Sequence, residues 1–335
     1  MNTVSVGIVG AGEITRKFHL PVLVNMADVE IAWIYDQRPE PVRTLAQAYG
    51  RPGLHSLAPE KLPKCDVILL AIPVTARSEY LEWMCLRGVA ALCEKPFAMS
   101  RAEHERLIKL FAPHALGAGY MRRYFGSTML LRQIVSDRTF GGLRRIDIGE
   151  GNRSKGSGVD SSFLDDARLG HASGVLADLG SHSIDLALHV SAATGFEVQS
   201  CEKVLDGVID RKVTAAVSLR TVDQELAPIE LNYGVSWLDR QENQIRLTFE
   251  HAQVWSSLLP SAEVFVGDPD SPQSAIRLTS AIPGASNYNQ AFYLQWRDFL
   301  TCFRDKQESS ISARRALLTT SLVEALLSEG DSTHA

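Results

Sequence analysis

The segment GVLADLGSHSIDLALH carries Asp178, His182, Asp185 and His189. On a helix this spacing places all four on one stripe, with Leu179, Ile184, Leu186 and Leu188 elsewhere around it. A carboxylate one turn from an imidazole makes a proton-handling pair, because the acid orients the ring and raises its basicity. Asp178 and His182 are therefore read as a catalytic pair, and Asp185 with His189 as a buried polar seam. The same residue types ligate zinc, but no third ligand stands nearby, so no metal site is expected.

A second chemical position closes the stretch ALCEKPFAM. The apolar run Val89–Cys93 reads as a strand buried on both faces, and it ends abruptly in Glu94, Lys95 and Pro96. In a doubly wound sheet, ligands lie beyond the carboxyl ends of the strands. A lysine there can polarise a substrate hydroxyl and share its proton. Pro96 would fix the turn, with a cis Lys95–Pro96 bond as one way of doing so.

The third position is GIVGAGEIT. Gly10 permits a tight turn directly after the first strand, and Gly12 lets a pyrophosphate approach the backbone and the helix N-terminus. Asp36 ends the next strand, where a carboxylate accepts both ribose hydroxyls of NAD and repels the 2′-phosphate of NADP. Arg38 could neutralise such a phosphate, so NAD is expected and NADP is not excluded. Thr15 stands at the third glycine position and should set helix and strand slightly apart.

Strands must carry these groups. VSVGIV, VEIAWIYD, CDVILLAIP, VAALCE and ALGAGY alternate with helical segments, the pattern of a parallel sheet covered on both faces. Gly50 and Gly88 read as helix stops, and Ser100 as an N-cap. Near residue 125 the pattern changes: a helix over 127–135 and another over 174–190 precede strands that alternate polar and apolar, as in an antiparallel sheet. Two helices close the chain, the first with Phe292, Trp296, Phe299 and Phe303 as a core stripe. The expected fold is α/β, with a dinucleotide-binding domain over 1–122 and a substrate-binding and oligomerisation domain over 123–335.

At 335 residues, 45% hydrophobic, 22% charged and with a net charge of −5, the chain offers no broad cationic field for nucleic acid or anionic membrane. No apolar run is long enough to span a bilayer. An apolar strand begins by Val4, which favours the cytoplasm. The five scattered cysteines read as reduced thiols.

The pieces GIVGAGEI, CDVILLAIP, CEKP, GYMRRY and GVLADLGSHSIDL together resemble the Gfo/Idh/MocA family of oxidoreductases over nearly the whole length. The resemblance implies an N-terminal Rossmann domain, a C-terminal α/β domain with a large, open, mostly antiparallel sheet, and NAD(P)-dependent chemistry at a hydroxyl or keto carbon of a sugar, cyclitol or sugar derivative. It places the family's lysine on Lys95 and its D-x-x-x-H pair on Asp178 and His182. Expected cofactor contacts are Gly10, Gly12, Glu13, Ile14, Asp36, Gln37 and Arg38, with Ala71, Pro73, Glu94, Lys95 and Arg122. Arg123 shares the GYMRRY motif with Arg122 and is the other arginine that could border the cofactor. Expected substrate contacts are Lys95, Arg122, Asp165, Asp178, His182 and Tyr288, with Asp166 beside them. Where the family often has a histidine four residues after the proline of its P-x-x-x-H loop, this chain has Arg77. Imine reduction, transient oxidation within a redox-neutral reaction, and nucleotide sensing without catalysis remain alternatives. Large apolar groups in PIELNYGVSWL and AQVWSSLL lead us to expect a homodimer or homotetramer through the C-terminal sheet.

Overall fold

The computed structural model describes residues 3–152, 174–223, 227–268, 274–281, 283–329 and 331–334, the last four by backbone alone. It divides into two compact units: residues 1–120 with 288–317, and residues 121–287 with 318–335.

In the first unit, β1 (Val4–Val9), β2 (Val29–Tyr35), β3 (Gly53–Leu54), β4 (Val67–Leu70), β5 (Ala90–Glu94) and β6 (Leu116–Gly119) form a sheet ordered β3-β2-β1-β4-β5-β6. All pairs are parallel. β4 and β5 are buried along their whole length, which requires cover on both faces. The helices follow the signals of the sequence. α1 (Leu20–Leu23) continues the turn after β1, α2 (Pro39–Tyr49) opens on proline and stops at Gly50 with φ 59°, and α3 (Arg77–Arg87) stops at Gly88 with φ 65°. The Ser100 hydroxyl accepts the Glu103 N–H at 3.2 Å and caps α4 (Arg101–Ile108).

The expected domain over 123–335 is interrupted. Helix α7 (Tyr288–Asp305) groups with the first unit, where Phe292, Trp296 and Phe299 are buried and Trp296 donates to His19 Nδ1 at 3.0 Å. Three of the four residues of the aromatic stripe are core, as expected, but core of the first unit, and Phe303 is half-buried.

In the second unit, the strands are β7 (Leu143–Gly151), β8 (Gly195–Asp206), β9 (Ile209–Arg220), β10 (Ile229–Ser236), β11 (Gln244–Phe249), β12 (Gln253–Ser257), β13 (Glu263–Gly267), β14 (Ile276–Thr279) and β15 (Asp331–His334). Among the described residues they form one sheet ordered β14-β13-β12-β11-β7-β10-β9-β8-β15, antiparallel except for the β7–β10 and β8–β15 pairs. Helices α5 (Gly126–Ser136), α6 (Ser181–Ser191) and α8 (Leu317–Ser328) cover one face through Leu131, Ile184, Leu188 and Leu322.

Among the described residues, the broad apolar outer patch expected on this sheet is not found. Leu231, Tyr233, Val235, Trp237 and Val254 all belong to the helix-covered core, and the opposite face carries Asp147, Thr214, Asn232, Gln244 and Arg246. Period-two alternation assigned two faces correctly, but both expectations of large outward groups failed except at the stacked Trp255–Phe265 pair. Among the described residues no helix is long and apolar enough to cross a membrane.

Candidate functional site

Strand order reverses between β1 and β4, and the turn after β1 sits there. Gly10 has φ +106°, and a Cβ on it would lie 2.2 Å from the Ala71 carbonyl oxygen, so two expected cofactor residues are brought side by side. Gly12 differs: a Cβ there would meet nothing within 4 Å. That open volume above a glycine turn is the room a pyrophosphate needs. The Asp36 carboxylate accepts the Ala11 N–H at 2.9 Å, and also the Arg38 N–H and Nε at 2.9 and 3.2 Å. Burial pushes its carboxyl up, but the bonds from Arg38 and Ala11 outweigh that and hold it below the usual range. A fixed carboxylate at the end of β2, a glycine at positive φ and an open glycine fit a dinucleotide.

Thr15 does not simply wedge helix from strand. It is fully buried, its hydroxyl donates to the Gly10 carbonyl at 2.6 Å, and the helix opens with a wide π turn over Thr15–His19. Glu13 is exposed and paired with Arg16 and Lys17, Ile14 is half-buried, and Gln37 and Pro73 are exposed.

Beside this crevice β5 ends in Glu94, followed by half-buried Lys95 and a cis Lys95–Pro96 bond. His19 bonds the Glu94 carboxylate at 2.9 Å through Nε2, while its Nδ1 accepts from Trp296, so the ring is a neutral donor towards Glu94. Burial raises the Glu94 carboxyl, but the His19 bond and the charges of Lys95 and Arg77 prevail and hold it low. Arg77 is buried, and it donates to the carbonyls of Ile72, Glu94 and Pro96.

In the second unit the helix bearing Asp178 and His182 opens with another π turn, Leu176–Gly180, and continues as α6. Wide turns of this kind recur where a helix carries function. Asp178 and His182 are half-buried. Asp185 is not: it is 1% exposed, clamped by Arg123 Nε at 2.8 Å and by Arg123 Nη2, and it accepts the Thr319 hydroxyl at 3.0 Å. Asp185 is thus the buried polar seam that the sequence suggested. Arg122 forms a two-pronged pair with Glu150 at 2.7 and 3.0 Å, both side chains being buried. Tyr288, in the first unit, lies 5.7 Å from the Phe18 ring. Asp165 and Asp166 lie outside the described residues.

Two supporting groups escaped the sequence reading. The Asp210 carboxylate accepts the Leu176 N–H at 2.7 Å, at the start of the π turn. The Tyr233 hydroxyl lies 3.1 Å from Ser183 Oγ, and a Cβ on Gly180 would come within 2.8 Å of it. Only glycine allows that approach. An acid in a strand next to a turn, and a tyrosine within an apolar alternation, give no signal of either role.

Residues 4–120 match the family model described as "Oxidoreductase family, NAD-binding Rossmann fold". Glucose-6-phosphate 3-dehydrogenase of Bacillus subtilis is 24% identical over 189 residues, 55% of this chain and 53% of that protein. A dTDP-3,4-didehydro-2,6-dideoxy-alpha-D-glucose 3-reductase of Streptomyces antibioticus is 25% identical over 241 residues, 70% of each chain. The fold is that of a 3-ketoreductase from Actinomadura kijaniata solved with NADP, at a TM-score of 0.80, 16% identity and 100% of both chains. The chain spans about half the length of the first of these curated relatives.

Proposed function

We propose that this chain, whose residues 4–120 match the NAD-binding Rossmann model of the Gfo/Idh/MocA oxidoreductase family, exchanges hydride with a ring hydroxyl or keto carbon of a hexose or hexose derivative. The observation that carries the reading is the setting of Lys95. It stands at the carboxyl end of β5, its turn held from both sides, next to a glycine crevice with room for a dinucleotide. Position 3 of the sugar is the favoured carbon, because the three relatives above are named for dehydrogenation or reduction there.

Nicotinamide, when bound, supplies or accepts the hydride. Gly10 shapes the turn, Gly12 and the N–H groups that follow it would hold the pyrophosphate, and Asp36 would take the ribose hydroxyls. NAD is preferred over NADP because the Asp36 carboxylate is already fixed at the end of β2. His182, oriented by Asp178, removes the hydroxyl proton in oxidation and returns it in reduction. Lys95 stabilises the alkoxide as it develops. Pairing of two chains through the outer sheet face is also proposed. Its support is that, among the described residues, the helices pack on the other face, and its polar lining makes the contact salt-sensitive.

The test is NADH absorbance with purified protein across glucose, glucose phosphates, glucosides and their 3-keto forms. Turnover of at least one of these, and not of acyclic alcohols, supports the reading. Tight NADH binding with no turnover across the panel would point instead to a nucleotide sensor.

A further inference from the structure

One arginine nitrogen holds the main chain on both sides of Lys95. Arg77 Nη1 donates to the Glu94 carbonyl and, at 2.5 Å, to the Pro96 carbonyl, while Nε donates to the Ile72 carbonyl at 2.9 Å. From the opposite side the Lys95 N–H donates to the Glu94 carboxylate at 3.1 Å, which His19 holds in turn. The polar main-chain groups at 94, 95 and 96 are thereby tied to the loop after β4 and to the helix after β1.

Arg77 occupies this place against several physical preferences. It is 3% exposed, so its charge has lost most of its water. It is the first residue of α3, where the positive end of the helix disfavours a cation. Among the described residues its hydrogen bonds go to carbonyls rather than to a carboxylate. A residue serving stability alone would be apolar or paired with an acid.

We propose that Arg77 is a positioning residue for Lys95: its guanidinium spans the ends of β4 and β5 and fixes the backbone from which the reacting amine projects. A planar guanidinium presents donors in several fixed directions at once, which suits three separate carbonyls. An ammonium concentrates its donors on one atom and an imidazole has only two nitrogens, so neither reproduces the clamp. The inference rests on the assignment of Lys95 as a reacting group.

The test is a double-mutant cycle on the full chain, read as kcat and as KM for cofactor and sugar. Arg77→Lys should lower kcat about tenfold or more, since displacing a reacting group by about 1 Å can cost about 10²-fold. KM for the cofactor should stay within about twofold, because the glycine turn and Asp36 carry that binding. In the Lys95→Met background the same substitution should cost less than about twofold, because the group it positions is gone. If Arg77→Lys does not fold, Arg77→Gln serves in the same cycle. Equal losses in both backgrounds overturn the positioning role while leaving the Lys95 assignment standing. A normal kcat in Lys95→Met alone overturns both.

Discussion

The Asp210 carboxylate accepts the Leu176 N–H at 2.7 Å and so ties strand β9 to the first turn of the helix that carries Asp178 and His182. Burial leaves this acid reluctant to ionise, pushing its pKa up to about 6 from 3.8 despite the helix N–H it accepts. In the folded chain it keeps its proton to higher pH than in the unfolded one. Its contribution to stability therefore falls as pH rises from about 4 to about 6, by on the order of 3 kcal/mol, and is level above. Asp210→Asn keeps an acceptor and removes the titration. The melting temperature of Asp210→Asn relative to the native chain should climb between pH 4 and 6 and then stay constant. A difference that is flat from pH 4 to 7 would contradict this.

The two glycines of the nucleotide turn should separate folding from binding. Gly10→Ala places a Cβ against the Ala71 carbonyl at a positive φ and should lower the melting temperature by several degrees. Gly12→Val enters open volume, so stability should hold while NADH affinity falls at least about tenfold, read by fluorescence titration.

Cofactor preference follows from Asp36. The native chain should show a kcat/KM for NAD at least about tenfold above that for NADP, and Asp36→Ser should narrow or invert the ratio by removing the charge facing a 2′-phosphate. A tenfold native preference for NADP would refute the assignment.

Lys95→Met should lower kcat by at least about 10²-fold, since it removes charge where an oxyanion develops. Cofactor affinity should change little. Near-normal turnover would make the amine structural.

Asp185 offers a contrast on the same helix as His182. Asp185→Ala leaves the Arg123 guanidinium buried without its carboxylate, and should cost about 3–5 kcal/mol in a urea melt. Half-buried Asp178 should behave oppositely: Asp178→Ala should reduce turnover more than stability.

The nucleotide turn was legible because it is local: strand, glycines, helix and the acid ending the next strand follow one another within a single βαβ unit. Helical period put Asp185 on the same stripe as half-buried Asp178 and His182, and its full burial comes from Arg123 and Thr319, which no local pattern announces. Asp210 was not legible, and the reason is a register shift. Val204 pairs with Lys212 but Leu205 pairs with Asp210, so Arg211 is an extra residue that turns Asp210 inward against the alternation of β9. Arg77 was hidden differently. An arginine opening a helix reads as a solvated cation, and only the return of β5 beside it supplies the carbonyls. The outer sheet face was misjudged because apolar residues in β10 and β12 were counted without fixing which side the helices covered.

Helix α7 gives the first unit an unusual order of completion during synthesis. When residues 1–120 have left the ribosome, His19 still lacks Trp296, and His104 lacks the Ala313 carbonyl it bonds at 2.8 Å. The residues that close this sheet's surroundings are made only after the entire nine-stranded sheet apart from β15 has been translated. A cofactor-binding module cut at residue 122 would therefore be born with an open apolar seam, whereas one joining 1–120 to 288–317 through a short linker would carry its own seal.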